Sequence, residues 1–488
     1  MRKEDKGIPN TELCANLISD ENFKKAIKKV RSNKGAPGID NIPVNILNCT
    51  ENELDEKVKL FNESRSRIVA RTYRPKPTKR VEIPKDDGGK RLLGLPTVQD
   101  KVVQQAMVQV LSPIFEETFS DSSYGYRPNR SAQDAVRQAQ IYTAEGYKYV
   151  VDLDLSKFFD NVNHDILMSL IDKTLVDKDI RRLIYSFLKA GVMVGGFQEA
   201  TPKGTPQGGV ISPLLSNIYL TPFDEDLDKR GIKHIRYCDD CLLFAKSEMA
   251  SRRMKANAIK FLEKKLRVKV NEQKTESRKA KGAQFLGFIF YNYGKQEKGT
   301  ISKAASCIVR EKSWIKLEMK IREVTKRNRG VSLEQVVLEV NRIITGWINY
   351  YALANIKTKI QKLMRWTRMK IRLYAYKIWK TGRNRKHQLR LLGVPEYKLK
   401  KFGFTSNSYW KEAMILGTCL TNKIMHQRKN KVVKNAINLI NGDSLYIVRH
   451  TLAQIEEQKA VYEQRRKHII VIGLPSFKAC DGKTYWVK

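Results

Sequence analysis

Apolar residues recur along this chain at two spacings, which predict strands and helices in separate places. Apolar runs bounded by Gly, Pro and Asp predict short strands, and these lie at 80–84, 91–96, 150–155 and 284–290. We expect the last of these to be one buried strand. Between the first two, Asp86-Asp87-Gly88-Gly89 predicts a tight turn.

Helical spacing begins after the second strand. From Val98 onward, apolar residues three and four positions apart predict a helix with one buried face, and that face carries Val102, Val103, Met107, Val110 and Leu111. A second helix is predicted at 214–220, directly after the glycine-rich segment 203–209. Residues 1–75 have the pattern of helices joined by loops.

The most informative pattern is an acidic pair between two apolar runs. Apolar residues at 232–235 and 241–244 flank Asp239 and Asp240, which predicts a β-hairpin with both acids at its turn. Neighbouring carboxylates repel one another, so a hard divalent cation such as Mg²⁺ is their natural occupant. The alternative interpretation is an ordinary solvated turn.

Size and charge narrow the class of protein. The 488 residues are 41% apolar, which predicts two or three domains with true cores. The net charge of +41 favours a nucleic-acid partner over a membrane surface. No apolar run reaches the roughly 18 residues of a bilayer span, and the first residues lack the apolar segment of a signal peptide. We therefore expect no membrane partner and a cytoplasmic location.

The cysteines give no framework of their own. Seven are scattered along the chain, at 14, 49, 238, 241, 307, 419 and 480. An odd and dispersed set predicts reduced thiols in a cytosol. Cys238 and Cys241 have C-x-x-C spacing, but neither a second cysteine pair nor a nearby histidine pair would complete a zinc site.

The composition changes again at 357–401. This segment carries 16 Lys or Arg residues against one acid, Glu396. Aromatic residues are interleaved with the basic ones, among them Trp366, Tyr374, Tyr376 and Trp379. Basic helices with aromatic residues are typical of surfaces that bind a duplex or a structured RNA. A merely solvated basic face is the alternative.

Three acidic or glycine-rich segments occur in a meaningful order. A strand carrying Asp154 comes first, the loop at 203–209 with its helix follows, and the Asp239-Asp240 hairpin comes last. This order is typical of the palm of a nucleic-acid polymerase. There, carboxylates from separate strands hold two metal ions that activate a 3′-hydroxyl and stabilise the departing pyrophosphate.

With these motifs in view, the chain resembles the reverse transcriptase/maturase proteins of bacterial group II introns and their group II-like relatives. The similarity runs from about residue 35 to about residue 422. The matching segments appear in the family's order: Gly35–Asp40 in the N-terminal extension, Lys90–Val98 and Tyr124–Ser131 in the fingers, the Asp154 strand, Thr205–Gly209 and the Tyr237 hairpin in the palm, and Gly346–Tyr351 in the thumb.

The resemblance implies an α+β fold, shaped as a right-hand polymerase. Fingers and palm would be built on antiparallel sheet, and a helical thumb, the maturase X domain, and a C-terminal extension would follow. The implied boundaries are an N-terminal extension at 1–75, fingers at 76–150, palm at 151–300, thumb at 301–405 and a basic extension of unknown role at 406–488.

The resemblance also assigns the metal site. Asp154 and Asp239 would ligate two Mg²⁺ ions, for which Mn²⁺ could substitute. Asp240 would be a neighbouring ligand or orienting acid, and the carbonyl of Leu155 would add a backbone oxygen. Asp152 and Asp160 flank Asp154 and are assigned structural roles, because only Asp154 keeps the family spacing.

Five residues are assigned to the incoming nucleotide. Lys85 and Arg91 would grip the triphosphate of a dNTP, and Lys274 would neutralise or protonate pyrophosphate. Phe159 would exclude a ribose 2′-hydroxyl, while Phe158 packs in the core. Gln207 and the glycines after it would let the backbone approach template and base. The alternatives are surface basic residues and a core phenylalanine.

Five cations are assigned to RNA or the template-primer duplex: Arg127, Arg365, Arg368, Arg372 and Lys377. The leading hypothesis is an RNA-directed DNA polymerase in a ribonucleoprotein, bound to a structured RNA such as its own intron and aiding splicing. Two alternatives remain open. One is a domesticated enzyme serving phage defence or repair with a dedicated non-coding RNA, and the other is an RNA-binding splicing factor without polymerase activity.

The sequence departs from the family in two places. Cys238 stands where the intron enzymes have alanine, which is also small. The chain continues about 65 residues past Asn422, and no endonuclease signature is present, so second-strand cleavage is not expected. The oligomeric state is not predicted.

Overall fold

The computed structural model describes most of the first 400 residues and a few positions beyond them. The described residues are 10–84, 88–194, 197–199, 203–205, 208–291, 306–391, 394–400, 416, 476–478 and 484–486. Contacts divide the chain into two compact units, Met1–Ala283 and Gln284–Lys488. The finer division into five domains stays a prediction.

Helices make up most of the first unit. They are α1 Asn10–Ile18, α2 Asp20–Asn33, a 3₁₀ turn Val44–Leu47, α3 Leu54–Lys59, α4 Asn62–Val69, α5 Val98–Glu116, α6 Ala132–Ala144, α7 Phe158–Asn161, α8 His164–Asp172, α9 Lys178–Lys189, α10 Ser212–Lys229 and α11 Glu248–Lys264. The helices predicted from Val98 and at 214–220 are confirmed as α5 and α10.

Capping and burial explain where α5 lies. The Thr97 side chain accepts a hydrogen bond from the Asp100 nitrogen at 3.1 Å and so fixes the first turn. Asp100 in turn accepts from the Tyr73 hydroxyl at 2.8 Å. Behind this cap, Val102, Val103 and other apolar residues of α5 are fully buried, so the helix forms the centre of the helical layer.

The first unit contains two sheets. Their strands are β1 Thr78–Pro84, β2 Lys90–Leu95, β3 Tyr149–Leu153, β4 Val192–Val194, β5 Phe197–Glu199, β6 His234–Tyr237, β7 Asp240–Ala245 and β8 Glu276–Lys279. One sheet has the order β2-β1-β4-β5 and the other β6-β7-β3-β8. The strands predicted at 80–84, 91–96 and 150–155 are confirmed as β1, β2 and β3.

The two sheets differ in strand direction. In the β2-β1-β4-β5 sheet, β1 pairs antiparallel with β2 but parallel with β4 through Thr78 and Val192, so this sheet is mixed rather than purely antiparallel. The β6-β7-β3-β8 sheet is antiparallel throughout. Helix α11 packs against its β3 and β7 strands. The predicted acidic hairpin is confirmed as β6 and β7.

The second unit combines a small sheet with helices. Its elements are β9 Gln284–Phe285, β10 Phe288–Tyr291, β11 Ser306–Val309, α12 Glu311–Val324, α13 Leu333–Tyr350, α14 Lys357–Ile378, α15 Gly382–Leu391, α16 Glu396–Lys400, β12 Ser476–Lys478 and β13 Thr484–Trp486. The strand order is β11-β10-β9, and β12 pairs with β13. Apart from residue 416 and these last two strands, the predicted extension at 406–488 lies outside the described residues.

The prediction of one strand at 284–290 is wrong. The segment instead forms a tight hairpin in which Phe285 pairs with Phe288. Leu286 and Gly287 between them have φ of 51° and 83°, a left-handed conformation that ends a strand and reverses the chain. An apolar run does not distinguish one buried strand from two short ones.

Aromatic side chains form the core of the second unit around the Gly346–Tyr351 motif. The rings of Trp314 and Trp347 lie 4.4 Å apart, Trp347 and Tyr351 4.6 Å apart, and Phe288 and Tyr351 5.1 Å apart. The Tyr351 hydroxyl donates to the Ser313 Oγ at 2.9 Å. The motif therefore joins the small sheet to α12 and α13 by packing.

Two expectations from composition can be compared with the described residues. No helix among them is long and apolar enough to cross a membrane. The five cysteines that can be placed, at 14, 49, 238, 241 and 307, are all free thiols.

Gly287 should be a sensitive position for stability. A Cβ there would lie 2.6 Å from the Tyr351 hydroxyl at a φ of +83°, so Gly287→Ala combines backbone strain with a clash. Gly330 also has a positive φ, but a Cβ added to it would meet no atom within 4 Å. We expect Gly330→Ala to destabilise by about 1 kcal/mol and Gly287→Ala by about 2–4 kcal/mol. Urea unfolding measures both, and equal losses would contradict the packing argument.

Candidate active site

Strand register brings two of the predicted acids together. Strand β3 pairs with β7 from Tyr149–Ala245 to Leu153–Cys241. One further step in this register sets Asp154 opposite Asp240. Facing residues of an antiparallel pair have Cβ atoms about 5 Å apart, and the Asp154 charge raises the pKa of both Asp239 and Asp240. All three carboxylates therefore share the end of one sheet.

The β6–β7 turn is held tightly against a neighbouring loop. Tyr237 pairs with Asp240, leaving Cys238 and Asp239 as the turn, and Cys238 has a φ of 61°. A Cβ on Gly125 would lie 2.6 Å from the Cys238 Sγ, so Gly125 must lack a side chain. The Tyr126 hydroxyl also hydrogen-bonds to the Cys238 sulfur. The contacts of Gly125 and Tyr126 with Cys238 therefore hold the turn in place.

The backbone around Asp154 is fixed by the segment that precedes β8. The Asn271 nitrogen donates to the Asp154 carbonyl at 2.8 Å, and the Asp154 nitrogen donates to the Thr275 Oγ1 at 3.2 Å. Leu155 forms an antiparallel bridge with Val270. The hydrogen bonds of this bridge are made by the residues on either side of the pair. In such a bridge the carbonyl of Leu155 itself points away from Val270.

Burial and neighbouring acids raise the pKa of Asp239 and of Asp240. Burial and the Asp154 charge raise the pKa of Asp239, and Arg91 partly offsets them. Burial, Asp239, Asp154 and Asp152 raise the pKa of Asp240 to about 7, against the opposing charge of Lys274. The Asp240 residue nevertheless has an exposed surface. Repulsion by the neighbouring acids, more than burial, therefore accounts for its raised pKa. Arg91 and Lys274 are exposed and lie within electrostatic reach of the site.

Asp152 behaves differently from Asp154, as the sequence interpretation expected. Its carboxylate forms an ion pair with Arg278 of β8, in the strand pairing that sets Asp152 opposite Glu276. Burial raises the pKa of Asp152 and Arg278 lowers it. The Asp152 carboxylate is therefore already paired with a cation of the same sheet, the Arg278 guanidinium.

The residues fit a divalent cation. Mg²⁺ is commonly held by one or two carboxylates together with substrate phosphates and water. Asp154 on β3 and the neighbouring acids Asp239 and Asp240 at the β6–β7 turn offer such oxygens. Among the described residues, no three Cys, His, Asp or Glu side chains are grouped closely enough to hold a metal ion. The carboxylate ligand set stays a prediction.

The nucleotide residues are only partly placed. Lys85 and Gln207 lie outside the described residues. Phe158 is buried, as expected, and its ring packs edge-on against Phe159 at 5.4 Å, whereas Phe159 is half-buried. A role of Phe159 in sugar selection stays a prediction.

The glycine-rich loop approaches other backbone segments closely. Gly204 has a φ of +93°, and a Cβ on it would lie 3.0 Å from the Phe159 carbonyl. Gly208 has a φ of +116°, and its Cβ would lie 2.9 Å from the Gly94 carbonyl on β2. These glycines therefore join the loop to α7 and to the β2-β1-β4-β5 sheet.

Arg127 has an internal role, which disagrees with its prediction as an RNA contact. Its side chain is 3% exposed and lies 2.8 Å from the Glu116 carboxylate. Its Nη1 also donates to the Ser123 carbonyl at 3.0 Å. A guanidinium fully used inside the protein cannot also reach a phosphate, and a sequence motif does not reveal this burial.

The cations predicted on α14 do not share one environment. Arg365 and Lys377 are exposed, whereas Arg368 and Arg372 are half-buried. Burial lowers the pKa of Arg368, and the neighbouring Arg365 lowers it further. Burial and Arg368 likewise lower the pKa of Arg372.

A basic cavity lies beside α14 in the second unit. Its volume is about 760 Å³. The lining residues, which include no acid, are Arg322, Thr325, Lys326, Arg327, Asn328, Lys370, Leu373 and Lys377. Burial and the charges of Arg322 and Arg327 lower the pKa of Lys370. Among these cations the sequence analysis assigns only Lys377, although the basic run at 326–329, directly after α12, is a visible signal.

Comparison with protein families gives two matches. Residues 83–290 match the family described as "Reverse transcriptase (RNA-dependent DNA polymerase)". Residues 315–392 match the "Group II intron, maturase-specific domain". The first match contains the facing acids and the second contains the basic cavity. Together they cover more than half of the chain, and they confirm the resemblance found from the motifs.

Known proteins with similar sequences agree with these families. Protein YkfC of Escherichia coli (strain K12) is 35% identical over 46% of this chain and 59% of its own length. Group II intron-encoded protein LtrA of Lactococcus lactis subsp. cremoris is 35% identical over 44% of this chain and 35% of its own. The chain thus spans between about a third and three-fifths of these curated relatives.

One solved structure shows a weaker similarity. A chain of the "Partial Cas6-RT-Cas1--Cas2 complex" matches 54% of this chain and 45% of its own length, at 24% identity and a TM-score of 0.33. A similarity this low supports no conclusion about function.

The raised pKa of Asp240 predicts a pH-dependent stability of the metal-free protein. Its value of about 7 in the folded protein exceeds the roughly 3.9 of an unfolded aspartate, so the folded state binds the proton more tightly. The stabilising contribution is complete below about pH 4 and is lost as the pH rises through 7. We expect the gain in Tm that Asp240→Asn gives over the original protein to be about 1–3 °C larger at pH 8 than at pH 5.

Differential scanning fluorimetry between pH 5 and 8 measures this change. Glu225→Gln, on an exposed side chain of α10, is the matched control and should leave the profile unchanged. A profile of Asp240→Asn that parallels the original protein would contradict the assigned repulsion.

Proposed function

We propose that this chain, which belongs to the reverse transcriptase and maturase family of group II introns and group II-like elements, is an RNA-directed DNA polymerase that acts while bound to a structured RNA. The observation that carries the proposal is the β3–β7 register, which ends at the Leu153–Cys241 pair and, continued by one step, brings Asp154 opposite Asp240 beside the Asp239 turn. The exposed cations Arg91 and Lys274 flank these acids.

The acids would hold two divalent ions. Asp154 and Asp239 are the proposed carboxylate ligands, the Leu155 carbonyl is a further oxygen, and Asp240 orients its neighbours. When bound, such ions would lower the pKa of the attacking 3′-hydroxyl and neutralise charge on the phosphates. The protein's part is to keep these oxygens in place before substrate arrives. The Asp154 backbone is suited to this, because it accepts a hydrogen bond from Asn271 and donates one to Thr275.

Cations on either side of the acids would bind the triphosphate. Arg91, on β2, lies in reach of Asp239, and Lys274 lies in reach of Asp240. A planar guanidinium suits bidentate phosphate contacts and an ammonium suits a point contact. Their attraction to the carboxylates keeps both cations near the site until phosphate replaces that interaction.

Phe159 is proposed to select deoxyribonucleotides. Its ring packs edge-on against Phe158, which packs in the same manner against Tyr219 at 6.2 Å. Phe158 and Tyr219 are buried, so they support the half-buried Phe159 ring from behind. A fixed ring at the sugar position would clash with a 2′-hydroxyl.

The proposed layout follows the order of the elements. The β2-β1-β4-β5 sheet with α5 and α6 would be the fingers, the β6-β7-β3-β8 sheet with α10 and α11 the palm, and α12–α16 the thumb or maturase domain. Glycines 204 and 208, with their close backbone contacts, support a rigid junction between the proposed fingers and palm.

Structured RNA is the proposed partner of the basic cavity. Five cations line it without an acid, and their mutual repulsion favours binding of an anion. Trp366 lies beside it, under the Arg322 guanidinium at 5.0 Å and the Lys370 ammonium at 5.5 Å. A polyphosphate backbone supplies repeated negative charge at the scale of this cavity. Intron RNA is the proposed source, and splicing assistance the proposed role.

The catalytic assignment predicts a separation of activity from binding. We expect Asp154→Asn and Asp239→Asn to reduce primer extension on an RNA template by at least about 100-fold, because each removes charge where the reaction needs it. RNA affinity should stay within about twofold, since neither acid contacts the phosphate backbone.

Asp160→Asn, on the same segment and without an assigned role in the chemistry, is the control. Single-nucleotide extension and filter binding measure the two quantities. Normal extension by Asp154→Asn would exclude the assigned site. A wild-type protein that binds RNA but never extends a primer would favour the splicing-factor alternative.

The basic cavity predicts a change in salt dependence. We expect the double substitution Lys326→Ala and Lys370→Ala to weaken binding of a folded RNA and to reduce the slope of log Kd against log salt by about one for each phosphate that is no longer neutralised. Extension on a short unstructured template should remain near normal. Kd values measured over a range of salt concentrations, from about 50 to about 300 mM, give the slope.

The matched control replaces Lys312 and Lys320, which are exposed on α12 and lie outside the cavity lining. It removes the same amount of charge from the second unit, but from α12 and not from the cavity lining. Equal slopes for the two double variants would show that only general charge matters and would contradict a phosphate site in the cavity.

A further inference from the structure

A charged pair is fully buried directly below the acidic turn. The Arg236 side chain on β6 is 1% exposed and the Asp224 side chain on α10 is 0% exposed. The Arg236 Nε donates to Asp224 at 2.9 Å and its Nη2 at 2.6 Å. Burial alone would raise the pKa of Asp224, but Arg236 and His234 hold that pKa below its ordinary value, so the pair is ionised.

The remaining donor of this guanidinium reaches the turn itself. Its Nη1 donates to the Cys238 carbonyl at 3.1 Å and to the Asn217 Oδ1 at 2.9 Å. Cys238 immediately precedes Asp239 and carries the left-handed φ on which the turn depends. The orientation of the Cys238–Asp239 peptide is therefore set by a hydrogen bond from a buried cation.

The guanidinium is itself held by elements outside the hairpin. The Asn217 amide donates to the Gly125 carbonyl at 2.8 Å, on the loop that packs against Cys238. The Arg236 backbone also pairs with that loop, because its nitrogen donates to Ser122 and its carbonyl accepts from Tyr124, both at 2.8 Å. Three segments thus meet at one side chain.

We infer that Arg236 is a positioning residue for the metal-binding acids: supported by Asp224 and Asn217, it fixes the Cys238 carbonyl and so the direction of the Asp239 carboxylate. The inference rests on the proposed function. A buried ion pair is not needed for stability alone, since apolar residues often replace one without loss. A planar fork with several fixed donors is needed to reach Asp224, Asn217 and Cys238 together.

Arg236→Lys tests this inference, because lysine keeps the charge but cannot make all these bonds at once. We expect kcat for nucleotide addition, per folded molecule, to fall about 10- to 100-fold through misplacement of the acids. The KM for dNTP and the Kd for RNA should change less than about threefold. Binding of Mn²⁺ to the protein without substrate, followed by electron paramagnetic resonance, should weaken several-fold.

Arg65→Lys is the matched control. Arg65 also binds one carboxylate, one carbonyl and one amide oxygen, those of Asp20 at 2.5 Å, Ile18 at 2.6 Å and Asn62 at 3.0 Å, but on the N-terminal helices. It should alter Tm without changing kcat per folded molecule or Mn²⁺ affinity. If Arg236→Lys behaves in the same way, its role is merely structural and the inference is wrong.

A second variant covers the case in which Arg236→Lys does not fold. Asn217→Ala leaves the ion pair intact and removes one support of the guanidinium, so kcat and Mn²⁺ affinity should fall in the same direction by about three- to tenfold. Unchanged values of both would overturn the inference. If the original protein extends no primer, the proposed polymerase fails, while the Mn²⁺ comparison still decides whether Arg236 positions the acids.

Discussion

Repulsion among carboxylates at the end of one sheet is the constraint on which the first unit depends. Asp154, Asp239 and Asp240 are brought together by the β3–β7 register and by a two-residue turn, and their proximity raises the pKa of the last two. An antiparallel sheet slipped by one residue would move Asp154 to the opposite face. Hydrogen bonds of Asn271 and Thr275 with the Asp154 backbone, and of Arg236 with the Cys238 carbonyl, hold this unfavourable arrangement in place.

The cations near these acids act on them in two distinct ways. Exposed Arg91 and Lys274 act over distance and are the residues proposed to bind the triphosphate. Arg236 is buried and bonded on all sides, so it contributes geometry rather than attraction for a ligand. The second unit shows the opposite imbalance, with cations concentrated in a cavity. The proposed partners, a divalent ion for the first unit and a polyphosphate for the second, carry the charge that each arrangement lacks.

Sequence pattern predicted the local elements better than their partners. The acidic hairpin, α5 and the strands around Asp154 follow from alternation and spacing, which are local properties. The roles of Arg127 and Arg236 could not be predicted from sequence pattern. An arginine in a buried network and an arginine on the surface have the same local sequence signal, and only tertiary contacts distinguish them. The turn at Leu286 and Gly287 was missed for a related reason, since a left-handed leucine leaves no signal in an apolar run.

Cys238 shows how such contacts change the meaning of a motif. Its spacing from Cys241 resembles a redox or metal pair, yet both side chains are buried. Burial raises the pKa of the Cys238 thiol to about 12, which keeps it protonated and unreactive. Position 238 has room for a small residue only, because its φ is left-handed and because Gly125 and Tyr126 lie against it. Position 238 is therefore governed by packing next to the acidic turn, and both alanine and cysteine are small enough to meet that requirement.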